Sequence, residues 1–171
     1  FGKRINLLHQ MIDDTNVVSY EAPAESAYFS AIDGILYSKD RKKLIKCPGG
    51  RTGDIIIPEG VESINDYAFS MTKISSVSFP DSMHYIGRNA FLYSDVNRID
   101  FGHGIAYIGG HEGMVFSGCD NLTEVEVPSN VIRLGDGCFR NCTNLKKVTL
   151  HDGLQSIREA AFLGCENLKE L

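Results

Sequence analysis

VPSNVIRLGDGCFRNCTNLKKVTL, residues 127–150, runs directly into LHDGLQSIREAAFLGCENLKEL, residues 150–171, and both stretches carry one pattern. Each holds a turn, an apolar residue, an Ile or Leu three positions on, then a Phe and a close of the L-x-x-V-x-L type. Toward the N-terminus the pattern recurs in FGHGIAYIGGHEGMVFSGCDNLTEVEV (101–127), FPDSMHYIGRNAFLYSDVNRIDF (79–101) and IPEGVESINDYAFSMTKISSVSF (57–79). Aligned on Phe69, Phe91, Phe116, Phe139 and Phe162, the spacings are 22, 25, 23 and 23. The segment 101–127 carries three extra residues around His111–Gly113, and the two before it are one residue short after the Phe. Indels of that kind belong in corner loops. A unit of about 23 residues cannot bury its apolar face alone, so neighbours must stack into a continuous core.

The pattern within a unit has a physical reading. Leu145, Val148 and Leu150 stand at spacings of three and two, as do Leu122, Val125 and Val127, and Val96, Ile99 and Phe101. A short strand explains this and leaves Thr123, Glu124 and Glu126 toward solvent. Pro58, Pro80 and Pro128 stop the strand, because Pro has no N–H for a ladder. Gly60, Ser82, Gly104, Asn130 and Gly153 share the next turn, where Gly and Asn tolerate positive φ. The stretches Ile64–Phe69 and Ile86–Phe91 put their apolar residues on one side of a helical or 3₁₀ turn. The expected fold is a leucine-rich repeat solenoid: a right-handed α/β-type superhelix of about 23-residue coils, with one parallel β-sheet, short helical or 3₁₀ turns and an interrupting N-terminal β-hairpin.

The repeat I-P-x-x-V-x-x-I-G-x-x-A-F-x-x-C-x-x-L-x-x-V-x-I-P resembles the BspA-like family of bacterial surface leucine-rich repeats, over Ile57–Leu171. The usual leucine-rich repeat keeps an Asn in the post-strand turn that bonds along the array; here only Asn130 fits that slot. The turn must therefore be satisfied differently elsewhere, which suits the BspA-like variant.

The whole chain is read as one leucine-rich repeat domain: an irregular N-terminal coil at 1–30, a β-hairpin insertion at 31–53, and five repeats at 54–171, the last incomplete. The hairpin is IDGILYSKDRKKLIKCPGG, with Ile35, Leu36 and Tyr37 before a turn at Lys39–Asp40 and Leu44 and Ile45 after it. It looks like the hairpin that often interrupts BspA-like arrays. Val17, Val18 and Tyr20 are expected in the strand of an earlier coil, with Ile5–Ile12 as a short helix packed on it. Leu171 falls mid-strand with no capping unit after it, so the pattern reads as a piece of something longer.

Composition narrows the function classes. Lys plus Arg total 17 and Asp plus Glu 22, a net charge of -5. Nucleic-acid binding runs on clustered cations and is not expected. No apolar run reaches 18 residues, so no membrane span is expected. The basic run Lys39, Arg41, Lys42, Lys43 and Lys46 is read as a protected hairpin edge, with an acidic polymer as the competing partner.

Chemistry-bearing residues are few. Cys119, Cys142 and Cys165 each lie three after the Phe and are read as a ladder of buried thiols, with a disulfide or a metal as the competing readings. Cys138 takes the small-residue slot of Ala68, Ala90 and Ala161, and Cys47 is expected to be the exposed thiol. His103, His111 and Glu112 gather at the insertion, but HEGMV lacks the second His of H-E-x-x-H. There is no G-x-S-x-G, no Cys with a nearby base and no phosphate loop. No catalytic residue, cofactor or metal ligand is assigned.

The outward strand residues are the default binding surface of such a fold. The candidate face is Asn97, Arg98, Asp100, Thr123, Glu124, Glu126, Lys146, Lys147, Thr149 and Lys169, preceded by Ser75, Ser76 and Ser78. It is polar, mixed in charge and free of aromatics. The resemblance implies a non-enzymatic, extracellular or cell-surface bacterial protein acting in adhesion or protein–protein recognition, with a protein partner. A structural spacer and an accessory module of a larger secreted enzyme are the alternatives.

Overall fold

The computed structural model describes residues 16–110 and 113–171. The expected helix at Ile5–Ile12 and the pair His111 and Glu112 lie outside the described residues. Each coil has two strands and a turn segment. A first row of parallel strands contains β4 (Thr52–Ile56), β6 (Lys73–Ser78), β8 (Arg98–Asp100), β10 (Glu124–Glu126) and β12 (Lys147–Thr149). A second row contains two-residue strands: β5 (Ser63–Ile64), β7 (Tyr85–Ile86), β9 (Tyr107–Ile108), β11 (Arg133–Leu134) and β13 (Ser156–Ile157).

Two expectations are corrected here. The solenoid has two rows of strands where one sheet was expected, and among the described residues there is no helix. The segments read as helical or 3₁₀ turns keep single turn bonds, such as Ala68 N–H to the Asn65 carbonyl and Ala90 N–H to the Gly87 carbonyl at 3.3 Å, but they also bond between coils. The amide of Phe69 donates to the Ala90 carbonyl at 2.7 Å, Phe91 to Val115 at 2.9 Å, Phe116 to Cys138 at 2.8 Å and Phe139 to Ala161 at 2.9 Å. Tyr67, Asn89, Gly137 and Ala160 hold φ between 55° and 58°, and a second set, Met71, Tyr93, Gly118, Asn141 and Gly164, is also left-handed. Left-handed residues two before Phe69, Phe91, Phe139 and Phe162, and two after all five Phe, break the right-handed run that a helix needs.

The core is a file of rings. Phe69, Phe91, Phe116 and Phe139 are fully buried. Successive rings from Phe69 to Phe162 stack with centroids 4.6, 4.9, 5.4 and 5.8 Å apart. Phe79 and Phe101 meet Phe91 and Phe116 edge-on. Ile64, Ile86, Ile108 and Leu134 of the second row close the other side of the core.

One seam divides the array. The first row splits into β4-β6-β8 and β10-β12, and the second splits between β7 and β9. Both breaks fall between the coils of Phe91 and Phe116, where the three-residue insertion lies. The seam is bridged by the Phe91–Phe116 stack, by the Phe91 and Tyr93 amides, which donate to Val115 and Ser117 at 2.9 Å, and by Cys119 Sγ, which donates to the Phe91 carbonyl at 3.1 Å.

At the N-terminal end, β1 (Phe29–Ile32), β2 (Ile35–Ser38) and β3 (Lys43–Lys46) form an antiparallel meander. β3 then pairs parallel with β5, Leu44 opposite Ile64, so the meander continues the second row. Val17, Val18 and Tyr20 are in no strand, contrary to expectation. Their backbone is tied to the meander and its exit, where Tyr20 N–H donates to the Gly34 carbonyl and Gly50 N–H to the Val17 carbonyl, each at 2.8 Å.

Two side-chain ladders run between coils. Asn130 Nδ2 donates to the Ile105 carbonyl at 2.6 Å, and the Ser82 hydroxyl accepts from the Gly60 amide, both at 2.9 Å or less. A more regular set is the Asn of C-x-N-L. Asn121, Asn144 and Asn167 donate to the carbonyls of Asp95, Asp120 and Thr143 at 3.1, 2.9 and 2.8 Å. These side chains satisfy carbonyls at the corner entering the first row, a role the sequence reading had not given them.

Candidate protein-interaction surface

Period-two alternation sends every second residue of the first row outward. All ten candidate residues, Asn97 to Lys169, are exposed. Glu124 stands opposite Lys147 and Glu126 opposite Thr149. Lys147 Nζ reaches Glu170 Oε2 at 3.6 Å across an isolated bridge. Upstream, Ser76 faces Arg98 and Ser78 faces Asp100. Ser76 itself is buried, contrary to expectation, because its hydroxyl donates to Asp54 Oδ1 at 2.6 Å. The row therefore offers ordered charges of both signs.

The second row carries what the first lacks. Tyr85 and Tyr107 are 54% and 46% exposed, and Arg133 Cζ sits 5.3 Å from the Tyr107 ring centroid. Tyr85, Tyr107 and Arg133 were assigned to no element from the sequence. Their outward alternation with buried Ile86, Ile108 and Leu134 was the signal available.

Three of the five hairpin cations are engaged within the fold. Lys42 pairs with Glu62 at 2.7 Å, Lys39 donates to the Ala24 carbonyl and Lys46 to the Tyr67 carbonyl. His103 lies against Asp81, accepting or donating at 3.1 Å, and its amide holds the Asp81 carboxyl below the usual range. A groove of about 490 Å³ on the turn side is lined by Tyr67, Asn89, Met114, Arg140 and Asp136 among others, and Asp136 is paired with Arg158 at 2.9 Å. Among the described residues no group of three or more His, Cys, Asp or Glu side chains converges.

The sequence matches the profile of a BspA type leucine-rich repeat region, in six copies, over residues 51–169. The chain belongs to the BspA-type leucine-rich repeat family. A leucine-rich cell surface protein from Faecalibacterium prausnitzii is 31% identical, with a TM-score of 0.78 over 85% of this chain and 39% of its own. The pneumococcal vaccine antigen PcpA, 20% identical, shares the fold at a TM-score of 0.74 over 88% of this chain and 38% of its own. A leucine-rich repeat protein of T. pallidum is 26% identical, with a TM-score of 0.55 over 88% of this chain and 81% of its own. This chain thus spans less than half the length of the first two. No curated protein sequence matches it. No helix among the described residues is long and apolar enough to cross a membrane.

In this BspA-type array the family's Cys slot is filled by Thr72, Ser94, Cys119, Cys142 and Cys165. Each cysteine Sγ donates to the Phe carbonyl of the preceding coil, Cys142 to Phe116 at 3.1 Å and Cys165 to Phe139 at 3.0 Å. Thr72 and Ser94 differ: the Thr72 hydroxyl donates to the Phe69 carbonyl of its own coil at 2.7 Å, and the two hydroxyls bond each other at 3.1 Å. All five cysteines are free thiols. Cys47 is fully buried, which corrects its expected exposure; Leu44 and Tyr37 pack in the same core cluster. Burial pushes the Cys47 and Cys138 thiols up to about 12 and raises Cys119 as well. Cys142 is raised by its hydrogen-bond coupling to Cys165 and by burial.

Native protein should accordingly show few reactive thiols, half-buried Cys165 first among them, and all five after denaturation. Disulfides among Cys119, Cys142 and Cys165 in a mass-spectrometric map would contradict the ladder. The thiol pKa values also set an alkaline limit. Folded Cys47 and Cys138 keep their protons up to about 12, while unfolded thiols ionise near 9. The native state then binds more protons, so stability should fall as pH rises through the window between those values. A denaturation midpoint that is flat from pH 8 to about pH 11 would argue against buried thiols.

Proposed function

We propose that this chain is a non-enzymatic recognition segment of a bacterial cell-surface or secreted protein, acting in adhesion or protein–protein contact through the first strand row. The observation that carries this reading is the register of that row. Glu124 opposite Lys147, and Lys147 beside Glu170, fix charges of both signs at strand spacing on a rigid support. The likeness to a leucine-rich cell surface protein supports the setting. Exposed pairs of this kind contribute only about 0–1 kcal/mol to folding, so their ordered display is available to a partner. A mixed strip steers a partner and sets its register more than it supplies affinity. Binding through Asn97, Arg98, Asp100, Thr123, Glu124, Glu126, Lys146, Lys147, Thr149 and Lys169 is therefore weak, extended and salt-sensitive.

The test is the charge swap Lys146→Glu with Lys147→Glu, assayed against immobilised extracellular-matrix proteins and whole cells. Binding should fall by about tenfold, and the remaining binding should depend less on salt. Binding that survives the swap but disappears when Lys39–Lys46 is neutralised would move the site to the hairpin. Hydrolysis of a peptide or glycan panel by the purified chain would overturn the non-enzymatic reading.

A further inference from the structure

We infer that the second strand row is a separate recognition surface, built from Tyr85, Tyr107 and Arg133, for an extended segment of a partner protein that carries an Asp or Glu beside an apolar residue. Four observations converge on it. Tyr85 and Tyr107 are the outward residues of β7 and β9 and stand on either side of the seam, both about half exposed. Tyr107 is in register with Arg133, whose guanidinium lies over its ring at 5.3 Å. No carboxylate among the described residues pairs with Arg133, while Glu62, beside Tyr85, is committed to Lys42 and Asp136 to Arg158. Beside these residues the surface is weakly polar, with Ala106 and Ile132 half-buried.

The chemistry of the partner follows from these groups. A guanidinium fixed on an aromatic face keeps a planar edge of N–H donors that fits a carboxylate bidentately. The stacking holds that edge in place before binding, so little rotamer freedom remains to be lost. Tyr85 supplies a rigid amphipathic ring for an apolar or aromatic side chain beside the carboxylate, and Tyr and Arg are the residue types that dominate protein contact energies. Arg133 already occupies one face of Tyr107, which removes that face from stacking against a sugar. The surface therefore fits Asp or Glu next to an apolar residue in a peptide, in preference to a glycan. The chain as a whole is acidic, so the attraction is local to Arg133 and the partner needs one well-placed carboxylate, not a highly charged tract.

The test selects a phage-displayed library of random 12-residue peptides on the intact chain, then measures the selected peptides on variants. Sequences pairing Asp or Glu with an aromatic or aliphatic residue should be enriched. Their affinity should drop at least tenfold with Arg133→Gln and with Tyr85→Ser, and partly with Arg133→Lys, which keeps the charge but not the fork. It should be unchanged in the Lys146→Glu, Lys147→Glu protein, which separates this surface from the first row. Each variant's melting temperature should stay within a few degrees of the parent, since the substituted side chains are exposed. An empty selection, selected peptides without acids, or acidic peptides that bind Arg133→Gln as well as the parent would each overturn the inference. Arg133-dependent binding of hyaluronan in place of any peptide would overturn the assignment to a protein.

Discussion

Phe116→Ala is expected to cost about 3–5 kcal/mol, the range for truncating a buried Phe. It should be the most damaging of the ring truncations because Phe116 stands at the seam. Its ring stacks on Phe91 at 4.9 Å and Phe139 at 5.4 Å, and meets Phe101 edge-on at 5.7 Å. Both strand ladders lapse between the coils of Phe91 and Phe116, so the ring file bears more of that interface than of any other. Phe139→Ala also costs about 3–5 kcal/mol but leaves paired strands on both sides, and its lower half of that range is expected. Chemical denaturation should further show a broader transition for Phe116→Ala, because nearest-neighbour coupling across the seam is what makes the array unfold as one unit. A melting temperature unchanged by Phe116→Ala would mean that the core does not run through these rings.

Gly87→Ala should destabilise by about 1–3 kcal/mol although it adds a single methyl group. A Cβ at Gly87 would lie 2.7 Å from the Asn65 carbonyl oxygen and closer still to the Asn65 carbonyl carbon and the Asp66 nitrogen. All three are backbone atoms of the preceding coil, so the two coils must separate at that corner. The same close approach recurs where Gly135 meets Gly109. Gly110→Ala is the control: a Cβ there has nothing within 4 Å, and the midpoint of urea denaturation should stay where it is. Equal effects of the two substitutions would contradict the coil spacing.

The sequence made the stacking unit legible because its strongest signals lie in the core. Phe at a near-constant spacing, small residues before it and Cys or its hydroxyl equivalents after it all mark one-dimensional packing between like positions. The first row was legible for the same reason: Val125 and Val148 are buried between exposed Glu124 and Glu126, or Lys147 and Thr149, which is plain period-two alternation.

The second row was not legible because two residues are too few to show a period. Tyr85–Ile86 and Arg133–Leu134 each present one outward and one inward side chain, and Ile-x-x-x-Ala-Phe then fits a helical face equally well. What decides against a helix is backbone φ at Tyr67 and Ala160, residue types that give no warning of a left-handed conformation. Asn89 and Gly137 at the same position were the available hint. Missing that row also hid the exposed aromatics, since Tyr85 and Tyr107 fall within it. The Asn of C-x-N-L was visible as a repeat but had no assigned partner, because a carbonyl in the neighbouring coil has no signature in the sequence.

The central claim is that the turn side of each coil is locked to its neighbours along the whole array, including the seam where both strand ladders lapse. Amide hydrogen exchange on the intact chain tests it most directly. The amides of Phe69, Phe91, Phe116 and Phe139 donate to the next coil and should exchange as slowly as those of Val77 and Phe79 in the first row. Exchange of the four Phe amides within seconds, while Val77 and Phe79 stay protected, would show an unpaired turn side and contradict the account.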